Sequence, residues 1–177
     1  MTDTRPAAAG QSEQRPTLVL AVYCWDMLLG ILAVFGALAA LGGQVAVGTR
    51  LVALPLVLQV VDAMSSAAYA AVLVMIASLL TRPAVWVRQV QIVTMATAIV
   101  LAGLSLLAAG VTGGLAVVPL LVSLLFVLFD VLAIVIMTER RITTWYVEPG
   151  RTPRYVIGAL AFWAMSSVAL IVVDALI

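Results

Sequence analysis

Four aspartates occupy strongly apolar stretches of this 177-residue chain, where a charged side chain is costly. Asp26, Asp62 and Asp130 lie inside such stretches, and Asp174 lies near the end of another. The sequence places no Lys, Arg or His within the predicted helices to pair with them. Acids at membrane depth usually face a bundle interior, water, a bound cation or the basic side chain of a partner. The four aspartates therefore mark the candidate functional surface.

Other polar side chains accompany these acids at helical spacing. Positions three, four and seven residues apart share one face of a helix. Around Asp62 this spacing predicts one narrow polar stripe, formed by Gln59, Asp62, Ser65, Ser66 and Tyr69. The pattern predicts that the polar sides of several helices meet inside a bundle. Ordinary packing also explains single serines, and an aspartate that stays protonated can be purely structural.

Composition assigns the chain to the membrane. It is 65% hydrophobic and 10% charged, and its mean hydropathy is +1.24. A soluble core of this size cannot cover so much apolar surface, whereas a bilayer accepts it on every outward face. The nine basic residues are all arginines and the net charge is +1, so no nucleic-acid partner is predicted.

The scarcity of reactive side chains excludes several kinds of site. The chain has no histidine and a single cysteine, Cys24. These absences exclude a His-ligated haem or zinc site, a His-based catalytic pair and an intrachain disulfide. We therefore predict no cofactor, no metal site and no catalytic residue.

The apolar runs predict an all-α membrane protein, a bundle of five transmembrane helices. A spanning helix needs about 20 mostly apolar residues. Segments that meet this length lie near 17–42, 51–81, 89–110, 115–138 and 155–177. Residues 1–16 are polar and predict a short disordered cytoplasmic tail, so that 17–177 forms a single helical bundle. A cleaved signal peptide is a weaker alternative for the first run, because that run is long and carries Asp26 in its middle.

Arginine placement orients the predicted bundle. Arg50 is the only arginine on one side; the other side has Arg5, Arg15, Arg82, Arg88, Arg140, Arg141, Arg151 and Arg154. Because arginines concentrate in cytoplasmic loops, this bias predicts a cytoplasmic N-terminus and a C-terminus on the outer face. The predicted location is a multi-pass position in a bacterial-type inner membrane.

Two connections on the arginine-rich side mix aromatic and basic residues. This mixture is typical of the headgroup layer, where rings lie at the interface and guanidinium groups contact phosphates. The predicted interfacial anchors are Arg82, Trp86, Arg88, Arg140, Arg141, Trp145, Tyr146, Arg151, Arg154 and Tyr155. A sharper alternative is a docking site for an anionic lipid headgroup or a cytoplasmic partner.

Three functions are compatible with these features. The leading expectation is a non-catalytic subunit or assembly partner of a membrane complex, whose acids meet basic residues of another membrane protein or of a second copy. Small residues at Gly36, Ala40 and Gly43 weakly support close helix packing in such a complex. An alternative is a proton- or cation-coupled transporter or channel subunit that uses Asp26, Asp62 and Asp130. A two-aspartate intramembrane enzyme is the third hypothesis. Known enzymes of this kind surround their aspartates with characteristic Asn, Gly or Arg residues, which the neighbours of Asp26, Asp62 and Asp130 lack.

Overall fold

A computed structural model describes residues 17–47, 50–53, 55–111 and 117–176. Within these ranges the side chains of residues 44–53 and 174–176 are outside the description. The predicted tail, residues 1–16, and most of the turn between the third and fourth spans also lie outside the described residues.

Five long apolar helices dominate the described chain. They are α1 (Thr17–Leu41), α2 (Leu56–Leu79), α3 (Val85–Val111), α4 (Val117–Thr138) and α6 (Arg154–Leu176). Each is long and apolar enough to cross a membrane. The shortest has 22 residues and extends about 33 Å, close to the roughly 30 Å of a hydrocarbon core. The number and order of the predicted spans are therefore confirmed, and a short helix, α5 (Arg140–Trp145), lies in what was predicted to be a loop.

Two helix boundaries differ from the sequence prediction. The second helix begins at Leu56 rather than near 51, because Gln44–Val47 (β1) and Arg50–Ala53 (β2) pair as an antiparallel hairpin. Pro55 follows this hairpin and precedes the first turn of α2, a position that suits a residue without a backbone N–H. The third helix begins at Val85 rather than near 89 and so contains Arg88. The expectation that no cation lies within the helices is therefore wrong for α3 and also for α6, whose first residue is Arg154.

The five long helices form a ring. Going round it, α1 packs against α2, α2 against α6, α6 against α3, and α3 against α4. The ring closes where α4 meets α1 along a narrower contact. Large apolar side chains cover its outer surface, for example Phe35, Val100 and Leu128, as expected for helices that face lipid. Polar side chains that point inward from different helices are thereby brought together.

Small residues of α1 allow its close approach to α2. A Cβ atom on Gly30 would lie 3.3 Å from Cγ2 of Val74, and one on Gly36 would lie 3.7 Å from Oγ of Ser66. Ala40 is buried, and Gly43, whose φ of +79° suits only glycine well, lies beside Gln59. The small-residue face of α1 thus packs against α2 of the same chain, rather than being left for a partner.

The two arginine-rich connections pack against each other. The backbone N–H of Glu148 donates to the carbonyl oxygen of Pro83 at 2.9 Å, and that of Val85 donates to the carbonyl oxygen of Glu148 at 3.1 Å. Tyr146 Oη donates to the Leu80 carbonyl oxygen at 3.0 Å, and the side chain is only 3% exposed. The Tyr146 ring is therefore packed inside the protein, and its predicted role as an interfacial anchor stays a prediction. Its hydroxyl satisfies a buried carbonyl at the end of α2, which favours burial of the ring.

Candidate functional site

Asp26 lies at the inner face of α1 and is fully buried. Its Oδ1 accepts a hydrogen bond from Nε2 of Gln91 on α3 at 2.8 Å, and Gln91 is also fully buried. Two further oxygens, Asp26 Oδ2 and Gln91 Oε1, are buried without a hydrogen-bond partner. Unsatisfied oxygens at zero exposure are costly, so this position favours a bound proton, cation or water.

Asp130 lies on α4 and is 5% exposed. Its Oδ1 accepts a hydrogen bond from the indole Nε1 of Trp25 on α1 at 2.9 Å. Trp25 also contacts Phe126 and Phe129 of α4, with ring centroids 5.9 and 4.7 Å apart. One tryptophan therefore joins α1 to α4 by both a hydrogen bond and aromatic packing, along the narrowest contact of the ring.

Asp26 and Asp130 form one site, which we call the acidic pair. Trp25, which donates to Asp130, directly precedes Asp26 in α1, so the two carboxyl groups lie near each other, and Tyr69 of α2 is close enough for its hydroxyl to be influenced by both. Asp26 lies about 14 Å along α1 from Thr17, and Asp130 lies about 12 Å along α4 from Thr138. Both are therefore at a similar depth from the arginine-bearing ends of their helices. The first four long helices each contribute a side chain to this site.

The fifth long helix reaches the site through Tyr69. The ring of Tyr69 stacks on Trp163 of α6, with centroids 4.4 Å apart and planes at 12°. One turn before Tyr69 along α2, Ser65 lies 3.1 Å from the hydroxyl of Ser167 and accepts a hydrogen bond from Ser166 at 3.0 Å. This serine cluster fixes the register of α2 against α6 and hence the position of the Tyr69 hydroxyl.

The remaining members of the predicted acidic set lie apart from the pair. Asp62 is half-buried and has no hydrogen bond or ion pair within the described part of the chain. It lies about 26 Å along α2 from Leu79, towards the opposite end of the bundle. Ser66 lies near Gly36 of α1 and Gln59 lies beside Gly43 just after α1, whereas Ser65 and Tyr69 contact α6, so the polar stripe of α2 divides between two sides of the helix. Asp174 is on α6, but its side chain is outside the described residues.

No arginine neutralises the acidic pair among the residues that the structure describes. Arg88 comes closest in sequence, three residues before Gln91 on α3; it is half-buried, and its Nε is buried without a partner. Trp86 and Trp145 are half-buried. The other predicted anchors are exposed: Arg82, Arg140, Arg141, Arg151, Arg154 and Tyr155.

Two important side chains of the site were not assigned from the sequence. Gln91 was recognisable only as a polar residue on the third span, and Trp25 only as a neighbour of Asp26. A buried amide among apolar residues is a signal for a polar partner on another helix, but it does not name that partner. Which carboxyl each donor meets depends on how the helices are arranged in the ring.

The chemistry available to the acidic pair is the binding of a small positive charge. The site offers the two carboxyl groups, the amide oxygen of Gln91 and the phenol of Tyr69, and all of these are oxygen groups that hold protons or hard cations. No set of three or more acidic, cysteine or histidine side chains within the described ranges is placed to hold a metal ion. Comparison of the chain with family models, curated proteins and solved structures gives no match.

Proposed function

We propose that this protein takes part in proton- or cation-coupled transport across a membrane, with the acidic pair as the site that binds the proton or small cation. The observation that carries the proposal is the inward position of Asp26 and Asp130, whose hydrogen-bond donors among the described residues, Gln91 and Trp25, are both neutral. An ionised carboxylate at such depth needs compensation. A bound proton or cation supplies it, and its uptake from one side of the membrane followed by release on the other would constitute transport.

The assembly hypothesis has less support at these two positions. A partner's arginine would have to reach Asp26, which is fully buried, or Asp130, which is 5% exposed. Both acids also have hydrogen-bond donors within the same chain. The same burial disfavours a two-aspartate enzyme, because a substrate and a water molecule would both need access to the carboxyl groups.

Asp62 favours assembly as a second function. This acid is half-buried and has no partner within the described residues, so it remains available to a basic side chain of another membrane protein or of a second copy. We infer that a transport unit formed by several copies uses the acidic pair for ions and Asp62 for contact. A small chain that needs several copies for a complete pathway is consistent with this division.

Orientation and location belong to the same proposal. The six arginines in the described connections and adjoining helix ends, together with Arg5 and Arg15, support a cytoplasmic position for that side. The N-terminus is then cytoplasmic and the C-terminus is on the outer face. The proposed location is a bacterial-type inner membrane, where a proton gradient would be available.

The test is flux in proteoliposomes that contain the purified protein. Asp26→Asn and Asp130→Asn keep shape and hydrogen bonding but cannot ionise, so we expect proton or sodium flux to disappear while the folded protein persists. Asp62→Asn is the matched control, since it removes a carboxyl group outside the pair. It should retain flux per assembled unit and weaken co-purification of the partner or second copy.

Each outcome decides between the candidates. Flux that persists in both Asp26→Asn and Asp130→Asn would overturn the transport proposal. Absence of flux in the unmodified protein, with association lost in the two pair variants, would assign Asp26 and Asp130 to assembly instead.

A further inference from the structure

A crevice between α3 and α6 lies at the arginine-bearing end of the bundle. Its volume is about 320 Å³, and it is lined by Gln89, Val90, Val93, Thr152, Val156, Ile157 and Leu160. The polar lining residues, Gln89 and Thr152, are at the end where both helices begin. The apolar ones continue along the two helices towards the membrane interior. The crevice therefore changes from polar to apolar with depth, as a phospholipid does.

The polar end of the crevice is suited to an anion. Neither Gln89 nor Thr152 has a side-chain hydrogen bond within the described residues, so an amide N–H and a hydroxyl are available as donors. Arg151 and Arg154 flank Thr152 in the chain, and both side chains are exposed. The N-termini of α3 and α6 add the partial positive charge that helix starts carry.

Few acids compete for this positive charge. The described connections and adjoining helix ends on this side carry six arginines against two glutamates, Glu139 and Glu148. No ion pair joins a glutamate to an arginine within the part of the chain that the structure describes. The arginines therefore remain available to an external anion.

We propose that this crevice binds an anionic phospholipid of the adjacent leaflet. The phosphate contacts Gln89, Thr152 and the two flanking arginines, and one acyl chain lies between Val93 and Leu160. Charge complementarity selects an anionic over a zwitterionic headgroup. The site is separate from the acidic pair and does not depend on the proposed transport activity.

Native mass spectrometry of the purified protein with added lipid tests the proposal. Phosphatidylglycerol and phosphatidylcholine of equal chain length are the two probes. The double variant Arg151→Gln/Arg154→Gln should lower the preference for phosphatidylglycerol about tenfold to thirtyfold, because each basic side chain near an anionic lipid contributes about fivefold. The matched control, Arg140→Gln/Arg141→Gln, removes the same charge from exposed positions on α5, next to α4, and should retain the preference.

A second variant distinguishes a shaped site from general attraction to arginines. Val93→Trp fills the apolar part of the crevice without changing charge, at a position that is half-exposed and tolerant of a larger side chain. It should abolish the tightest phosphatidylglycerol adduct while the protein remains folded by circular dichroism. Retention of that adduct in Val93→Trp, or an equal loss in both arginine double variants, would overturn the proposal in favour of non-specific attraction to the charged face.

Discussion

The hydrogen bond from Trp25 to Asp130 can be measured by a double-mutant cycle. Trp25→Phe keeps an aromatic ring against Phe126 and Phe129 but removes the indole N–H that donates to Oδ1 of Asp130 at 2.9 Å. Asp130→Leu removes the acceptor and keeps the branched shape and the number of side-chain heavy atoms, although the methyl groups are larger than the oxygens. Comparing the two single variants with the double variant isolates the interaction from the loss of ring area.

The expected coupling free energy is about 1 to 1.7 kcal/mol, the upper part of the range for hydrogen bonds between membrane helices. The upper part applies because the acceptor is a carboxyl group with 5% exposure and the donor is at a normal hydrogen-bond distance. Interhelical bonds in membranes contribute less than their burial implies, since the unfolded helices also find partners in the bilayer. We therefore use this range for membrane helices rather than the larger values found for hydrogen bonds to buried charged groups in soluble proteins.

The assay is unfolding of the purified protein in mild detergent by titration with a denaturing detergent, followed by helical circular dichroism. Trp86→Phe in the same Asp130→Leu background is the control. Its indole N–H has no hydrogen bond within the described residues, so coupling should stay within about 0.5 kcal/mol, the scatter for independent sites. A Trp25–Asp130 coupling that is also below about 0.5 kcal/mol would refute the hydrogen bond and the joining of α1 to α4 that depends on it.

A cycle with Asp130→Asn adds information on charge. Asn keeps an acceptor oxygen at the same place but carries no negative charge. Hydrogen bonds to charged groups contribute about twice as much as neutral ones. If Trp25→Phe lowers the free energy of unfolding equally in the unmodified and the Asp130→Asn backgrounds, the carboxyl group is neutral in the folded protein. If the loss in the Asp130→Asn background is only half as large, the group is a carboxylate.

Four further predictions concern the connections and the ring. Tyr146→Phe should lower the free energy of unfolding by about 1 kcal/mol, because the buried carbonyl at the end of α2 loses its donor. Gly150→Ala should lower the same free energy by about 1–3 kcal/mol, since a Cβ there would lie 2.9 Å from a ring carbon of Trp86. Gly158→Ala is the control for the unfolding assay: a Cβ there meets no atom within 4 Å, so it should be neutral or stabilising. In a cysteine-free background, a cysteine at Met64 should react with a lipid-phase label and one at Tyr69 should be protected; equal labelling would contradict the ring arrangement. Reporter fusions in the hairpin, between α3 and α4 and after α6 should read outside, and those in the two arginine-rich connections inside; an inside reading after α6 would contradict the proposed orientation.

The sequence alone determined the class of this fold. Long apolar runs leave few structures open in a bilayer, because every backbone group in lipid must be hydrogen-bonded within a helix or a closed barrel. Length and composition therefore suffice to predict five helices, as the structure confirms. The hairpin before α2 was missed, because residues 51–53 are apolar enough to extend the second run and residues 44–47 fell in the predicted connection, so that only strand pairing distinguishes the two segments.

Only the tertiary structure decided which polar residues meet. Helical periodicity places Asp26, Tyr69, Gln91 and Asp130 on polar faces, but it contains no information on the order of helices round a ring. That order depends on surface shape, such as the glycines of α1 that admit α2, and on pairs of residues far apart in the chain. The same reasoning explains why similar aspartates had different fates: Asp26 and Asp130 are each buried beside a neutral donor of another helix, whereas Asp62 stands apart. The sequence is enough to predict that an acid within an apolar run is buried, whereas its hydrogen-bond partner depends on how the helices pack.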